Sequence, residues 1–210
     1  MLISCGVEYL GFPLRLDYHQ QDFREDEAAA IIRELPPVTQ AILITYLDKA
    51  EEVIELSSKL NTKIIQLHGD ISLKELRQIK IKRPKIQIIK SLIIGKTSEG
   101  ILLKNMQSWS SLVDVFLLDT FDPESGASGA TGKTHDWGIS RILVESSTRP
   151  VILAGGLTPA NVRRAILTVH PAGVDVHSGV EDHSGRKDRQ LVERFISEAR
   201  SAFKMIESAD

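Results

Sequence analysis

Cysteine is almost absent. Cys5 is the only one in 210 residues, so no disulfide can form within the chain, and a reducing cytoplasm is the expected compartment. Charge imbalance is also missing. Lys and Arg number 26 against 28 Asp and Glu, a net charge of -2, which argues against nucleic acid or a membrane surface as a partner. There is no apolar run of about 18 residues, no recognisable signal peptide, no low-complexity stretch and no obvious linker. The histidines and acids show no close metal-ligand spacing, so neither a metal nor a cofactor is expected. What remains is 42% hydrophobic, enough for one domain over residues 1–210 with a sizeable core.

The most informative stretch runs from Pro150 to Val180. Pro150-Val-Ile-Leu-Ala-Gly-Gly-Leu157 and Gly173-Val-Asp-Val-His-Ser-Gly-Val180 are short apolar runs stopped by glycine, the pattern of buried parallel strands. Between them Thr158-Pro159 reads as a helix start, the hydroxyl as N-cap. Val162, Ala165, Ile166 and Val169 then form one apolar stripe. Gly155, Gly156 and Gly179 let backbone N–H groups come close to an anion. Two such turns side by side could hold a phosphate; the plainer alternative is that they only turn the chain.

Elsewhere the chain alternates strand and helix with short connections. Strands are expected at 7–12, 40–47, 62–67, 86–94 and 113–118. Helices are expected at 26–35, 49–60, 73–80, 99–111, 137–145 and 188–203. The face of the first helix is read as Ala28, Ile31, Ile32 and Leu35, and that of the last as Val192, Phe195, Ile196, Ala199 and Phe203. Glycine-rich turns after the last two strands, not the first, favour a (β/α)₈ TIM barrel over a doubly wound sheet. On that reading strand one and most of helix one are missing, and residues 1–6, with Gly6 as a helix C′ residue, are the tail of that helix. Exposed sheet edges would then favour a homodimer.

The motifs together resemble the phosphoribosylanthranilate isomerase family, the Amadori-rearranging barrel enzymes of tryptophan biosynthesis. They are Leu10-Gly11-Phe12, Gln66-Leu67-His68-Gly69, Leu117-Leu118-Asp119-Thr120, Gly129-Ala-Thr-Gly132-Lys-Thr-His135-Asp136-Trp137, Leu153-Ala-Gly-Gly-Leu157, Val174-Asp175-Val176, Ser178-Gly-Val-Glu181 and Gly185-Arg-Lys-Asp188. The resemblance implies a phosphorylated sugar substrate and Asp119 as the acid that opens the ribose ring. It implies a phosphate grip from Gly155, Gly156, Ser178 and Gly179, helped by the loop around Gly129 and Gly132, and it places Asp175 near the sugar hydroxyls.

Two departures stand out. The family's base is a Cys in a Lys-Ile-Cys-Gly type motif, and no such motif is present; Cys5 falls at the end of helix one and reads as a small apolar residue. The family's anthranilate-binding Arg falls on Gln21, with Arg15 nearby. His177 stands where the family often has Ser. A paralogous barrel taking another phosphorylated ligand, without necessarily converting it, is therefore the rival reading. Taken singly, Asp119 fits an acid or a helix cap, with Asp122 as competitor, and Asp136 fits an N-cap. His68 could polarise a substrate oxygen or hold a loop. His19, His135 and His177 are possible replacements for the base, each also readable as structural or solvent-exposed.

Overall fold

The computed structural model describes residues 1–16, 23–121 and 134–208. The sequence-predicted alternation holds: strands β1 (Tyr9–Pro13), β2 (Gln40–Thr45), β3 (Ile64–Leu67), β4 (Gln87–Ile94), β5 (Val115–Thr120), β6 (Val151–Leu153) and β7 (Gly173–Val174) interleave with helices α1 (Glu25–Arg33), α2 (Ala50–Leu60), α3 (Leu73–Lys82), α4 (Glu99–Trp109), α5 (Trp137–Ser146), α6 (Val162–Val169) and α7 (Arg189–Glu207). Strand order in the sheet follows chain order, β1 to β7, as expected when short crossovers join parallel neighbours. The chain divides into two compact units.

The first unit comprises residues 8–91 and 108–115. Parallel registers pair Leu10 with Ala41, Leu43 with Ile65, and Ile65 with Ile88. All four residues of β3 are buried, the mark of a strand covered on both faces. Helix ends follow local chemistry. Glu27 accepts from the Arg24 backbone N–H at 2.9 Å, and Glu25, Asp26 and Glu27 occupy the first turn of α1, where the helix dipole favours negative charge. Ser72 caps α3 through the Glu75 N–H, and Asn61 closes α2 in the left-handed region at φ 56°. The face of α1 differs from expectation. Ala28 and Ala29 are its buried residues, while Ile31 is exposed, because small side chains let the short helix lie close to its neighbours.

Two polar groups anchor this unit from inside. The Asp114 carboxylate accepts from the Ile88 N–H and from Lys80 Nζ, both at 2.7 Å. Lys90, in the middle of β4, is only 2% exposed. Its ammonium donates to the carbonyls of Leu67 at 3.2 Å, Gly69 at 3.0 Å and Ser91 at 2.8 Å, and lies 5.1 Å from the centre of the Trp109 ring. A buried lysine persists only with such compensation.

The second unit comprises residues 1–7, 92–107 and 116–210. Phe116 is in register with Val151, and Leu153 with Val174. The α6 stripe is buried as read: Val162, Ala165, Ile166 and Val169. On α7 the buried line is Val192, Phe195, Ala199 and Ala202, so it ends on Ala202 instead of Phe203. The N-cap reading of Thr158 is corrected. Helix α6 starts at Val162 behind Asn161, and Thr158 heads the preceding turn, its hydroxyl accepting from the Ala160 N–H. The last strand is also shorter than expected. β7 has two residues, and Ser178–Val180 forms a 3-10 turn. At the start, Ile3–Cys5 forms a 3-10 turn closed by Gly6 at φ 86°.

Lys90→Met keeps the bulk of the side chain but removes the donor to three buried carbonyls. It is expected to lower stability by about 1–3 kcal/mol, read as a reduced urea midpoint with unchanged slope. A midpoint equal to wild type would show that the carbonyls are met otherwise.

Candidate active site

Backbone pairing brings the ends of β5, β6 and β7 to one level. The Ala154 N–H donates to the Leu118 carbonyl at 2.8 Å, and the Asp175 N–H to the Leu153 carbonyl at 2.9 Å. Asp119, the next residue along β5, therefore ends level with the 154–157 turn and with Asp175. These three segments and the 177–179 turn line a single recess: Asp119, Gly155, Gly156, Asp175, His177, Ser178 and Gly179 all face it.

Glycine makes this convergence possible. Gly155 has φ 82° and Gly156 φ 61°, a region costly for side-chain-bearing residues. A Cβ on Gly155 would run into the Thr120 hydroxyl, and one on Gly179 into the Leu157 carbonyl. The two turns therefore touch backbone to backbone, and the first also rests on the residue after Asp119. Asn161 fixes the outer side of the 154–157 turn. Its Oδ1 accepts from the Thr158 N–H at 2.8 Å and its Nδ2 donates to the Gly156 carbonyl at 2.9 Å. Among the described residues, the N–H groups of Gly155, Gly156 and Leu157 meet no protein acceptor, which suits an anion.

The acids in the recess are both held off their ordinary behaviour. Asp119 is 8% exposed. Burial pushes its carboxyl up to about 6, opposed by the Thr120 N–H, which donates to Oδ1 at 2.8 Å. Asp175 is also pushed up to about 6, by burial first and then by the negative charge of Asp119, with His177 and Lys187 opposing. Asp175 keeps contact with solvent, as a group on the floor of an open recess does. Water moderates its desolvation, so the upward direction is firmer at Asp119. A carboxyl that holds its proton closer to neutrality than usual is better suited to act as an acid.

The surroundings position these groups. His135 bridges Thr120 Oγ1 at 2.8 Å and Ser140 Oγ at 2.6 Å; burial pushes it down to about 4, so it is a neutral strut at physiological pH. Asp136 caps α5 through the Gly138 N–H at 2.8 Å, as read. Lys187 ties the 177–181 turn, donating to the His177 carbonyl at 2.8 Å and to Glu181 at 2.6 Å. His177 itself lies 3.6 Å from Glu181. Asp188 caps α7 through the Leu191 N–H.

Three further candidate residues have surroundings of their own. His68 is in the first unit, where Ser91 Oγ stands 3.1 Å from its Nδ1 and Gln66 Nε2 3.4 Å away, with Tyr46 against its ring. Arg15, also in the first unit, donates to Glu25 at 2.8 Å. Cys5 has Sγ beside Glu193 and Arg189 on α7 and beside Met1 Sδ, each at 3.8 Å. Gly129 and Gly132, like His19, Gln21 and Asp122, lie outside the described residues. The roles of Lys187 and Asn161 carried no signal in the sequence beyond their places near the glycine turns. A larger groove of about 420 Å³ lies between α6 and α7. Its Arg163 is taken up by Glu198 and Ser201, and its Arg164 by the Trp137 ring. It contains no strand-end carboxyl, so the smaller recess is the candidate site. No described helix is long and apolar enough to cross a membrane.

Asp119 titrates from its ordinary 3.8 to about 6 on folding. Between these values the folded chain holds more protons than the unfolded one, so stability falls as pH rises through this window. Asp119→Asn removes the effect. It is expected to raise Tm over wild type at about pH 7.5, with the gain fading toward about pH 4; an equal gain at both would reject the assignment.

The family model for N-(5'-phosphoribosyl)anthranilate (PRA) isomerase matches residues 5–198. The chain is 39% identical over 205 residues to N-(5'-phosphoribosyl)anthranilate isomerase 2 of Methanosarcina mazei, covering 97% of this chain and 89% of that one. Its fold resembles that of phosphoribosyl anthranilate isomerase from Thermotoga maritima with a TM-score of 0.79 at 30% identity, over 95% of this chain and 91% of that one. It also resembles a phosphoribosyl anthranilate isomerase solved with reduced 1-(o-carboxyphenylamino)-1-deoxyribulose 5-phosphate, with a TM-score of 0.77 at 26% identity and coverage of 95% and 91%. A buried strand-end carboxyl, two interlocked glycine turns and these likenesses agree: the chain belongs to the phosphoribosylanthranilate isomerase family.

Proposed function

We propose that the chain isomerises N-(5'-phosphoribosyl)anthranilate to its 1-deoxyribulose product, the Amadori step of tryptophan biosynthesis. The observation that carries this is the meeting of Asp119 with both glycine turns in one recess. Asp119 would donate a proton to the ribose ring oxygen. The N–H groups of the 155–157 turn, with Ser178 and Gly179, would hold the 5'-phosphate, and Asp175 lies where sugar hydroxyls would reach. His177 and the loop with Gly129 and Gly132 complete the proposed binding set.

On the same reading the seven strands are the second to eighth of a (β/α)₈ barrel that forms one domain, working in the cytoplasm. Chain-order strand pairing and the likeness to the Thermotoga maritima enzyme support this. Self-association is proposed too, since among the described residues β1 and β7 each pair with one strand. A second reading, a paralogue acting on a differently substituted phosphosugar, is favoured by one observation: Arg15 is engaged by Glu25 at 2.8 Å and lies 4.0 Å from Glu55, which leaves the aglycone's carboxylate a weaker claim on it.

Turnover of phosphoribosylanthranilate to the ketose, followed by NMR, is expected for wild type. Asp119→Asn should lose about 10²–10⁴-fold in kcat, the usual contribution of a positioned acid. An inactive wild type, or a variant as fast as wild type, would overturn the proposal. Thermal stabilisation by ribulose 5-phosphate but not by the reduced carboxyphenylamino analogue would favour the paralogue. Light scattering should give a mass above 23.3 kDa; a monomer at high concentration would reject self-association.

A further inference from the structure

Two of the groups assigned to the phosphate, Ser178 and Gly179, sit on the turn after β7 and line the recess. His177, which leads into that turn, has φ −114° and ψ −89°, outside the strand and helix regions. Among the described residues, its carbonyl accepts from one donor: Lys187 Nζ at 2.8 Å. Lys187 is itself seated, since the same Nζ donates to Glu181 Oε1 at 2.6 Å. The two side chains are largely enclosed, at 26% and 18% exposed. Backbone bonds tie the same segments. The Glu181 N–H closes the turn on the Ser178 carbonyl at 3.0 Å, and the Asp188 N–H reaches the Val180 carbonyl at 2.9 Å. Asp188 in turn caps α7, so the turn is fastened to the start of a long helix.

A peptide unit is planar and trans, so its carbonyl and its N–H lie on opposite edges. The carbonyl of the 177–178 peptide faces Lys187. The N–H on the other edge is that of Ser178, and among the described residues it meets no protein acceptor. Fixing the carbonyl therefore fixes the direction of the N–H. The ammonium also polarises the peptide, which makes that N–H a stronger donor.

We infer that Lys187 is a positioning residue for the substrate's phosphate: seated on Glu181, it aims the Ser178 N–H at the phosphate oxygens by holding the far edge of the same peptide. This rests on the reading above, in which the 155–157 and 177–179 turns receive a phosphate. The charge of Lys187 is balanced by Glu181, so the clamp works through direction and not through net charge. Glu181 is part of the device. Without its carboxylate the ammonium keeps the carbonyl alone as a partner, and a long flexible side chain with one partner holds its place less well.

The test uses the full chain, with inorganic phosphate followed by amide NMR and with phosphoribosylanthranilate for rates. In wild type the Ser178 and Gly179 amide resonances should shift as phosphate is added. Lys187→Met should weaken phosphate binding and raise KM by about tenfold or more, as for loss of a charge-assisted hydrogen bond. Its kcat should stay within about threefold, because the phosphate is held alike in the ground and transition states. Lys187→Arg, which can donate to both oxygens, should restore most of the binding, and Glu181→Gln should weaken it. Tighter phosphate binding in Glu181→Gln would show attraction by net charge and overturn the inference. So would a Lys187→Met variant that keeps its phosphate affinity and KM, or one that loses kcat with KM unchanged. Should that variant fail to fold, a wild type whose Ser178 amide is indifferent to phosphate would overturn it just as well. A wild type that binds phosphate at Ser178 but does not turn over phosphoribosylanthranilate would remove the isomerase reading and leave the clamp standing. An active wild type with a silent Lys187→Met would do the reverse.

Discussion

The candidate site depends on close backbone approach. Gly179 lies on the Leu157 carbonyl, and Gly155 lies on the Thr120 hydroxyl, each at a separation no Cβ could share. These contacts bring three strand ends together tightly enough for a carboxyl from β5, a bare turn from β6 and a carboxyl after β7 to face one small volume. The remaining features of the site follow from this packing. Among the described residues, the N–H groups of the 155–157 turn are left without protein acceptors. The carboxyl of Asp119 is buried because the turn closes over it.

The same burial sets the electrostatics. A carboxyl enclosed by protein without a cation resists ionising, and Asp119 has only the Thr120 N–H to offset that. Asp175 sits where water, His177 and Lys187 oppose that resistance. Two residues of the same type can thus be set apart by surroundings alone. His135 shows the complementary case. Burial keeps it neutral, and its two ring nitrogens are spent on Thr120 and Ser140, so it braces the end of β5 instead of titrating.

Much of this was legible in the chain before any coordinates. The 3.6-residue stripe on α6 was correct to the residue, because a short helix between two buried strands has one direction in which to turn its apolar side. The Asp136 cap was readable from local chemistry alone. Errors came where tertiary packing overrode local signals. Thr158-Pro159 is a sound helix-start signature, yet the chain first makes a turn so that Asn161 can hold Gly156, and the helix begins three residues later. Ile31 fitted a helical stripe but is exposed, since α1 approaches its neighbours through alanines. Lys90 would be placed at the surface by any rule of composition; it is buried because three backbone carbonyls and the Trp109 ring converge on it from separate segments.

Hydrophobic period, glycine position and cap residues are local properties, and they sufficed for the α/β class and the parallel sheet. Which charged groups share a volume is not local. Asp119 and Asp175 are 56 residues apart in the chain, and their mutual influence exists only because β6 pairs with a strand on each side. The perturbed carboxyls, the neutral His135 and the Lys187 brace are therefore products of packing, since desolvation and Coulomb energy depend on distances that only the folded chain defines.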